Sequence, residues 1–436
     1  MKKMWKIFSL VLAVLLLSTG AMPVFATDDI TGEKDYAITN PYASIDWDEW
    51  TPYKSNLHSH SRYSDGELTV TESVNRYYEL GYDVLATTDH GVINRGWNVK
   101  PELVPVASYY QYIMPLNPML ADRYEQITTG AGRDGRPMLD VDRGIELNAM
   151  VIKKNHVNGF FSDYGQNYLG IENDYETSVA GVDAAGGISF INHPGDFIGS
   201  AGNPDAARDM KNVKLYGDLF LKYDSCVGFE VFNGGDSVTR NDRILWDNIL
   251  QYTIPRGVNV WGFSNDDSHT YDSIGRTAEI IWMPELSNEA LRTAMENGTF
   301  FACSTRAKNE MGDSFEGTGE YAVITKVLVD DAKNQITVET AEPETVEWIA
   351  NEKVIHVGNT IDLNAYEDDI TCYVRAQIRN EGGVVLTQAF VCDDGTLGDG
   401  ITQEPEKPLT LWDKLMEFFR VLFNFKIFEA FKKLAK

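Results

Sequence analysis

Between about residues 47 and 310, short apolar runs alternate with longer amphipathic stretches. TVTESVNRYYELG, at 69–81, has helical spacing, a Thr or Ser to cap its start and Gly81 to end it. It leads into YDVLATT, a run that reads as a buried strand. GIEL, GGISFINH, VGFEVFN and VNVWGFS are strand-like too, and DRILWDNILQYTI is helical. Strands alternating with helices predict parallel pairing with crossover helices, hence an α/β layer or barrel. Residues 94–142 are irregular and rich in Pro, Tyr and Gly, as expected of an insertion covering one end.

After about Gly319 the period changes to two. YAVITKVLVDD, NQITVETA, TVEWIANEKVIHV and a hairpin turning at Glu381-Gly382-Gly383 predict a small all-β, sandwich-like domain over 319–395. Folding that hairpin about Gly382 sets Cys372 opposite Cys392 on one face, which predicts a disulfide between them. Cys226 and Cys303 offer no comparable pairing. Residues 396–408 read as a linker. Residues 409–436 form an aromatic amphipathic helix pattern, suited to a membrane surface or to docking on protein.

Residues 1–26 combine a basic start, an apolar centre and small residues ending at Ala26. This is the pattern of a secretory signal with cleavage after Ala26, so a secreted or cell-surface protein is expected. A net charge of −27 argues against nucleic acid as a partner, because a phosphate backbone needs Lys and Arg to neutralise it.

Seven histidines occur in 436 residues, and six of them sit with acids near the ends of predicted strands. His58 and His60 close YKSNLHSH; Asp89 and His90 follow YDVLATT; Glu146 lies in GIEL; His193 ends GGISFINH; Asp267 and His269 follow VNVWGFS. His156 is the sixth, ten residues after Glu146, and only His356 falls in the β region. In an α/β barrel the strand C-termini form one face that gathers functional groups. A closed structural zinc site takes four ligands, usually with cysteine among them. The set here is larger, has no cysteine, and suits Zn²⁺, Mn²⁺ or Fe²⁺ with open positions.

NLHSHSRYSDG, ATTDHG, GIELNA with a later NHV, INHPG and SNDDSH resemble the ordered motifs of the polymerase-and-histidinol-phosphatase (PHP) metallohydrolase family. The resemblance covers about 47–306 and implies a distorted (β/α)₇ TIM-like barrel with two or three metal ions. It implies a first ion on His58, His60, Glu146 and Asp267, and a second sharing Glu146 with His156 and His193. A third would be held by Asp65, His90 and His269, with Asp65 standing where some members have histidine. Asp89 would orient a neighbour rather than ligate. The implied activity is hydrolysis of a phosphate ester by a metal-bound hydroxide, at a site involving Asp267, His193 and His269. Arg62, Asn233, Arg240 and Arg306 are candidates to hold a small-molecule or glycan-linked phosphate ester. The same site could cleave a carboxylic or carbamate ester. A different class of reading is a cell-surface binding protein with a structural metal cluster.

Overall fold

The computed structural model describes residues 34–102, 117–148, 155–167 and 174–399. The leader at 1–26, the tail at 409–436 and most of the linker lie outside them. The first expected helix forms over Val70–Glu79. Thr69 Oγ1 accepts from the Glu72 amide at 3.2 Å, and the Glu72 carboxylate accepts from the Thr69 amide at 2.8 Å. That reciprocal pair satisfies two amides which a helix start leaves open. Val70, Val74, Tyr77 and Tyr78 make the buried face. The 94–142 stretch is more regular than its composition suggests, since it contains the helix Ala121–Thr129 and the strand Leu139–Asp140.

The protein is mixed α/β, and two sheets carry the site. In one, Thr51–Asn56 runs parallel to Val84–Leu85, which runs parallel to Leu139–Asp140. On its other edge Thr51–Asn56 pairs antiparallel with Thr277–Met283, which pairs with Phe300–Ser304. The second sheet has the order Ile145–Leu147, Val157–Phe160, Ile188–Ile191, Cys226–Asn233, Trp261–Asn265. Its first two pairings are antiparallel and its last two parallel.

The closed TIM-like barrel is therefore not what forms. Among the described residues no continuous ladder closes the two sheets into one ring; they meet at single bridges, Ser59 with Ser268 and His90 with Glu146. The connection 148–156 is shorter than the dozen or so residues that a parallel crossover needs, so the strands it joins pair antiparallel.

In the C-terminal region, Ile324–Asp330, Gln335–Thr340 and Thr360–Asp362 form a three-stranded sheet. Its Ile336, Val338 and Ile361 share a core with Trp348, Ala376, Ile378 and Phe390 of the facing strands, as in a sandwich. The facing sheet continues into the α/β part, because Gly383–Leu386 pairs with both Tyr373–Asn380 and Phe300–Ser304. A buried ion pair adds to this seam: Arg375 Nε meets Asp247 Oδ1 at 2.7 Å from the helix Asp242–Thr253.

The hairpin turns on two residues and not the expected three, Asn380 pairing with Gly383; a one-residue shift before Phe390–Asp393, which pairs Tyr373 with Val391, then sets Cys372 opposite Cys392, with the Cys392 amide donating to the Cys372 carbonyl at 2.8 Å. The predicted disulfide is nevertheless absent, and all four cysteines are free and buried. Cys372 belongs to the apolar cluster around Leu245 and Leu250, whereas Cys392 packs with Phe390 and Trp348.

Candidate metal centre

The two bridges that join the sheets also build the site. Beyond Asn56 the chain stays extended against the end of Trp261–Asn265, held by amides. Asp267 N donates to His58 O at 3.0 Å and His60 N to Ser268 O at 2.9 Å. Asn56 and Asn265 pin this junction from both sides: Asp266 N donates to Asn56 Oδ1 and Leu57 N to Asn265 Oδ1. The junction sets His58 and His60 beside Asp267 and His269. Gly66 folds the following loop back so closely that a Cβ there would sit 2.8 Å from the His60 carbonyl carbon. That return carries Asp65 to the same cluster.

The second bridge does the same for His90 and Glu146, with Gly91 N donating to Glu146 O at 2.9 Å. His156 immediately precedes Val157–Phe160 and so stands at its N-terminal end. Because that strand runs antiparallel to both neighbours, its start lies with their C-terminal ends. This is how a histidine at a strand start joins others at strand ends.

All nine predicted ligand residues converge. Glu146 is central: Oε1 is 3.4 Å from His58 Nε2, 3.1 Å from His156 Nδ1 and 3.7 Å from His193 Nε2. Its Oε2 is 3.1 Å from His60 Nε2 and 3.0 Å from His90 Nδ1. Asp267 Oδ1 lies 3.2 Å from His58 Nε2 and 3.1 Å from His60 Nε2, and Oδ2 lies 3.8 Å from His193 Nε2. Asp65 reaches His269 Nε2 at 3.3 Å, His60 Nδ1 at 3.5 Å and His90 Nε2 at 3.6 Å.

Three overlapping groups have ligand atoms within 4.8 Å of one another: His60, Asp65, His90, His269; His58, His60, Asp267; and His90, Glu146, His156. His193 stands at the edge of this set and belongs to none of the three. His60 and His90 are each shared between groups, which the motif-based partition did not anticipate.

These residues fit divalent ions by a test internal to the structure. His90 Nδ1 and Glu146 Oε2, both within the cluster, are buried without a hydrogen-bond partner. His90 Nδ1 and Glu146 Oε2 lie close to each other, yet neither makes a directional bond. Buried polar atoms are nearly always satisfied, so unpaired lone pairs pointing inward call for another electrophile. Two of the nine residues also carry left-handed backbone, His193 at φ 27° and Asp267 at φ 47°. Such conformations are uncommon away from glycine and concentrate at functional sites.

Charge in the cluster is mutually sustained. Burial opposes ionisation of Asp267, but His58 and His60 outweigh it and hold its pKa well below the usual carboxylate range. Burial opposes ionisation of Glu146 too, and His156, His90 and His58 overcome it. His90 moves the other way: burial dominates, and its pKa falls to about 4. A neutral imidazole is the form that ligates a metal.

Several supporting residues were not singled out from sequence. Glu230 is fully buried; its Oε1 is 2.8 Å from His58 Nδ1, while its Oε2 accepts from the His193 amide and from Asn233 Nδ2, both at 2.9 Å. Asn192 Nδ2 donates to Glu146 Oε1 at 2.6 Å. A glutamate inside the apolar run VGFEVFN was the available signal, since an unpaired carboxylate is rarely buried. Asp89 accepts from Ser61 N, Ser61 Oγ and Ser64 Oγ, and Ser64 Oγ lies 3.2 Å from His60 Nδ1, which makes Asp89 an orienting residue. Asp266 turns away to accept from the amides of Gly275, Arg276 and Thr277, leaving Asp267 as the ligand-type acid.

The substrate candidates divide. Asn233 Nδ2 reaches Asp267 Oδ2 at 3.2 Å and so belongs to the cluster. Arg62 Nε donates to Glu67 O, Arg240 pairs with Asp313, and Arg306 pairs with Glu316. Each of these arginines is tied outside the nine-residue cluster.

No family model matches the chain, and no curated protein matches it. Among solved structures it is similar to a two-domain protein from Bacteroides vulgatus containing a predicted PHP-like metal-dependent phosphoesterase. That likeness has 16% identity, 81% coverage of this chain, 90% of the other and a TM-score of 0.41. An amidohydrolase from Chromobacterium violaceum with bound sulfate shows 18% identity over 50% of this chain and 87% of its own, at a TM-score of 0.27. A candidate metal-dependent phosphoesterase from Bifidobacterium adolescentis shows 15% identity, covering 49% and 87%, with a TM-score of 0.28. None of these likenesses is close enough to define a function, which rests on the side chains.

Proposed function

We propose that this chain is an exported metal-dependent phosphoesterase of the PHP type, holding two or three divalent ions drawn from Zn²⁺, Mn²⁺ and Fe²⁺. The observation that carries this reading is the convergence of His58, His60, Asp65, His90, Glu146, His156, His193, Asp267 and His269, with unpaired ligand atoms facing inward. His58, His60 and Asp267 would hold one ion, His90, Glu146 and His156 a second, and Asp65 and His269 with His60 or His90 a third. When bound, such ions supply Lewis acidity and lower the pKa of water.

Charge balance favours phosphate. With three divalent ions bound, Asp65, Glu146, Asp267 and the buried Glu230 would offset four of the six positive charges, so the loaded site would attract an anion although the whole chain is acidic. Within the chain, Asp267 stays ionised and is placed to accept a proton from the attacking water. Asn233 Nδ2 and the His58 and His60 rings keep that carboxylate in position. His269, with its side chain 37% exposed, is the most exposed histidine of the cluster, and with only two ions bound it would be free to protonate the departing alcohol. Glu230 and Asn192 hold the ligands against rotation.

Metal-loaded protein assayed on p-nitrophenyl phosphate and p-nitrophenyl acetate tests the reading. Phosphate release that depends on added metal and is lost in Asp267→Asn is expected. Acetate cleavage with no phosphatase activity would assign the same residues to a carboxylic or carbamate esterase. Tight metal binding with neither activity would favour a binding protein.

A further inference from the structure

The solvent-facing side of the metal cluster is formed by Asp65, Asp267 and His269, whose side chains are 48%, 18% and 37% exposed, whereas His58 and Glu146 are sealed. Arg276 bridges two loops that lead away from this side. Its Nε donates at 3.1 Å to the carbonyl of Asp272, three residues after His269. Its Nη1 rests against Gly235, two residues after Asn233, 3.4 Å from where a Cβ would stand. The Gly234-Gly235 turn packs on the segment leading into Asp267, since Gly234 N donates to Asn265 O at 2.8 Å.

The guanidinium has donors to spare. Nη1 and Nη2 donate to no group among the described residues, and neither is shut away from water. Glu316, an acid that feels the charge of Arg276, is bonded to Arg306. Ser237 Oγ stands 3.9 Å from the same Gly235 point, and Lys308 Nζ donates to that hydroxyl at 3.1 Å. Neither Arg276 nor Lys308 forms an ion pair among the described residues. Acids outnumber bases by 65 to 38 in this chain, so two cations left unpaired on one turn are open to an anion from outside. Apart from its chain neighbours, no other described atom lies within 4 Å of the Gly235 point. The glycine thus leaves a notch with a guanidinium on one side and a hydroxyl on the other.

We propose that this notch holds a second anionic group of the substrate, so that the preferred ester is a phosphate whose alcohol carries a further phosphate or carboxylate. The assignment rests on the hydrolase reading and adds a substrate class to it. A planar guanidinium meets either oxyanion with two parallel N–H bonds. The test compares butyl phosphate, butane-1,4-diyl bisphosphate and 4-(phosphonooxy)butanoate on metal-loaded protein. At least one of the two anion-tailed esters should exceed butyl phosphate in kcat/KM by about tenfold, the worth of a hydrogen bond to a charged group. Which of them does so tells phosphate from carboxylate. Added salt should shrink the ratio, because charges at an open site are screened.

Arg276→Met should abolish the preference, whereas a role confined to tethering the two loops would lower all three rates together and keep it. Arg276→Lys, which keeps the charge and loses the fork, should retain part of it. Gly235→Ala places a methyl group in the notch and should weaken the preference too. Apart from turnover, butane-1,4-diylbisphosphonate or 4-phosphonobutanoate should protect Arg276 from phenylglyoxal, read by peptide mass, where butylphosphonate does not. Cleavage of butyl phosphate with no preference for either tail, or a preference that Arg276→Met retains, would overturn the assignment and leave the phosphoesterase reading standing. Equal labelling of Arg276 with all three phosphonates would overturn it as well. Selective protection of Arg276 with no phosphate released would remove the phosphoesterase reading and keep the anion notch.

Discussion

Glu230→Gln is the sharpest perturbation of the centre, because it changes one buried atom and keeps the shape. The carboxylate faces three groups at once: the His58 ring at 2.8 Å, the His193 amide at 2.9 Å and Asn233 Nδ2 at 2.9 Å. His58 must present Nε2 to the cluster, so its Nδ1 carries the proton and donates to Glu230. All three partners are then donors, and a carboxylate accepts from all three. A glutamine accepts through one oxygen and turns its amide nitrogen toward at least one donor, whichever way it is flipped.

The loss of a charge-assisted bond costs about 1.5–3 kcal/mol. That agrees with the roughly 10- to 100-fold loss of metal affinity found when an outer partner of a metal ligand is removed. Competition with a chelating dye should therefore show zinc affinity reduced by about 10- to 100-fold, with His58 ring resonances shifted in NMR spectra of the metal-free protein. Affinity and ring resonances unchanged from wild type would refute the idea that Glu230 sets the His58 tautomer.

Three further outcomes follow from the same geometry. Asp65→Ala should remove one ion by elemental analysis and leave the ion on His58, His60 and Asp267 in place; loss of every ion together would show the groups to be inseparable. Arg243→Met strands the buried Asp236 and Glu310 carboxylates, which Arg243 meets at 2.7 and 2.8 Å, and should cost about 3–5 kcal/mol in urea unfolding; a change below about 1 kcal/mol would contradict that pairing. Burial raises the Asp242 carboxyl from 3.8 to about 7, although Gly195 and Ser200 donate to it. The folded chain therefore binds one more proton than the unfolded chain between those values. Its contribution is full below about pH 4 and lost as pH rises through about 7, up to about 4 kcal/mol. Asp242→Asn should flatten stability against pH in that window, and an unchanged slope would sink this account.

The motifs were legible because ligand chemistry is written in residue types. Few side chains other than histidine and acid make such a site, and both are conspicuous at the ends of apolar runs. The capped helix at Val70–Glu79 was legible for a similar reason, since its signals are local. Glu230 shows in sequence only as an acid out of place in an apolar strand; its role needs the three donors His58, His193 and Asn233, which only the fold assembles around it. Arg240 and Arg306 looked available as single charges and are paired with Asp313 and Glu316.

By itself the sequence determined which residues could bind metal, and it determined the change from helix-and-strand alternation to period-two strands near residue 319. Those properties depend on side-chain chemistry and on neighbours within a few positions. Tertiary structure decided the rest: that the sheets meet at Ser59–Ser268 and His90–Glu146 instead of closing a barrel, and that His156 joins the cluster from a strand start. It also decided that Cys372 and Cys392 stay free although their backbones are paired. The physical reason is common to all three. Strand direction, sheet closure and side-chain destination are set by which surfaces bury one another across long separations, and local pattern carries no record of that competition.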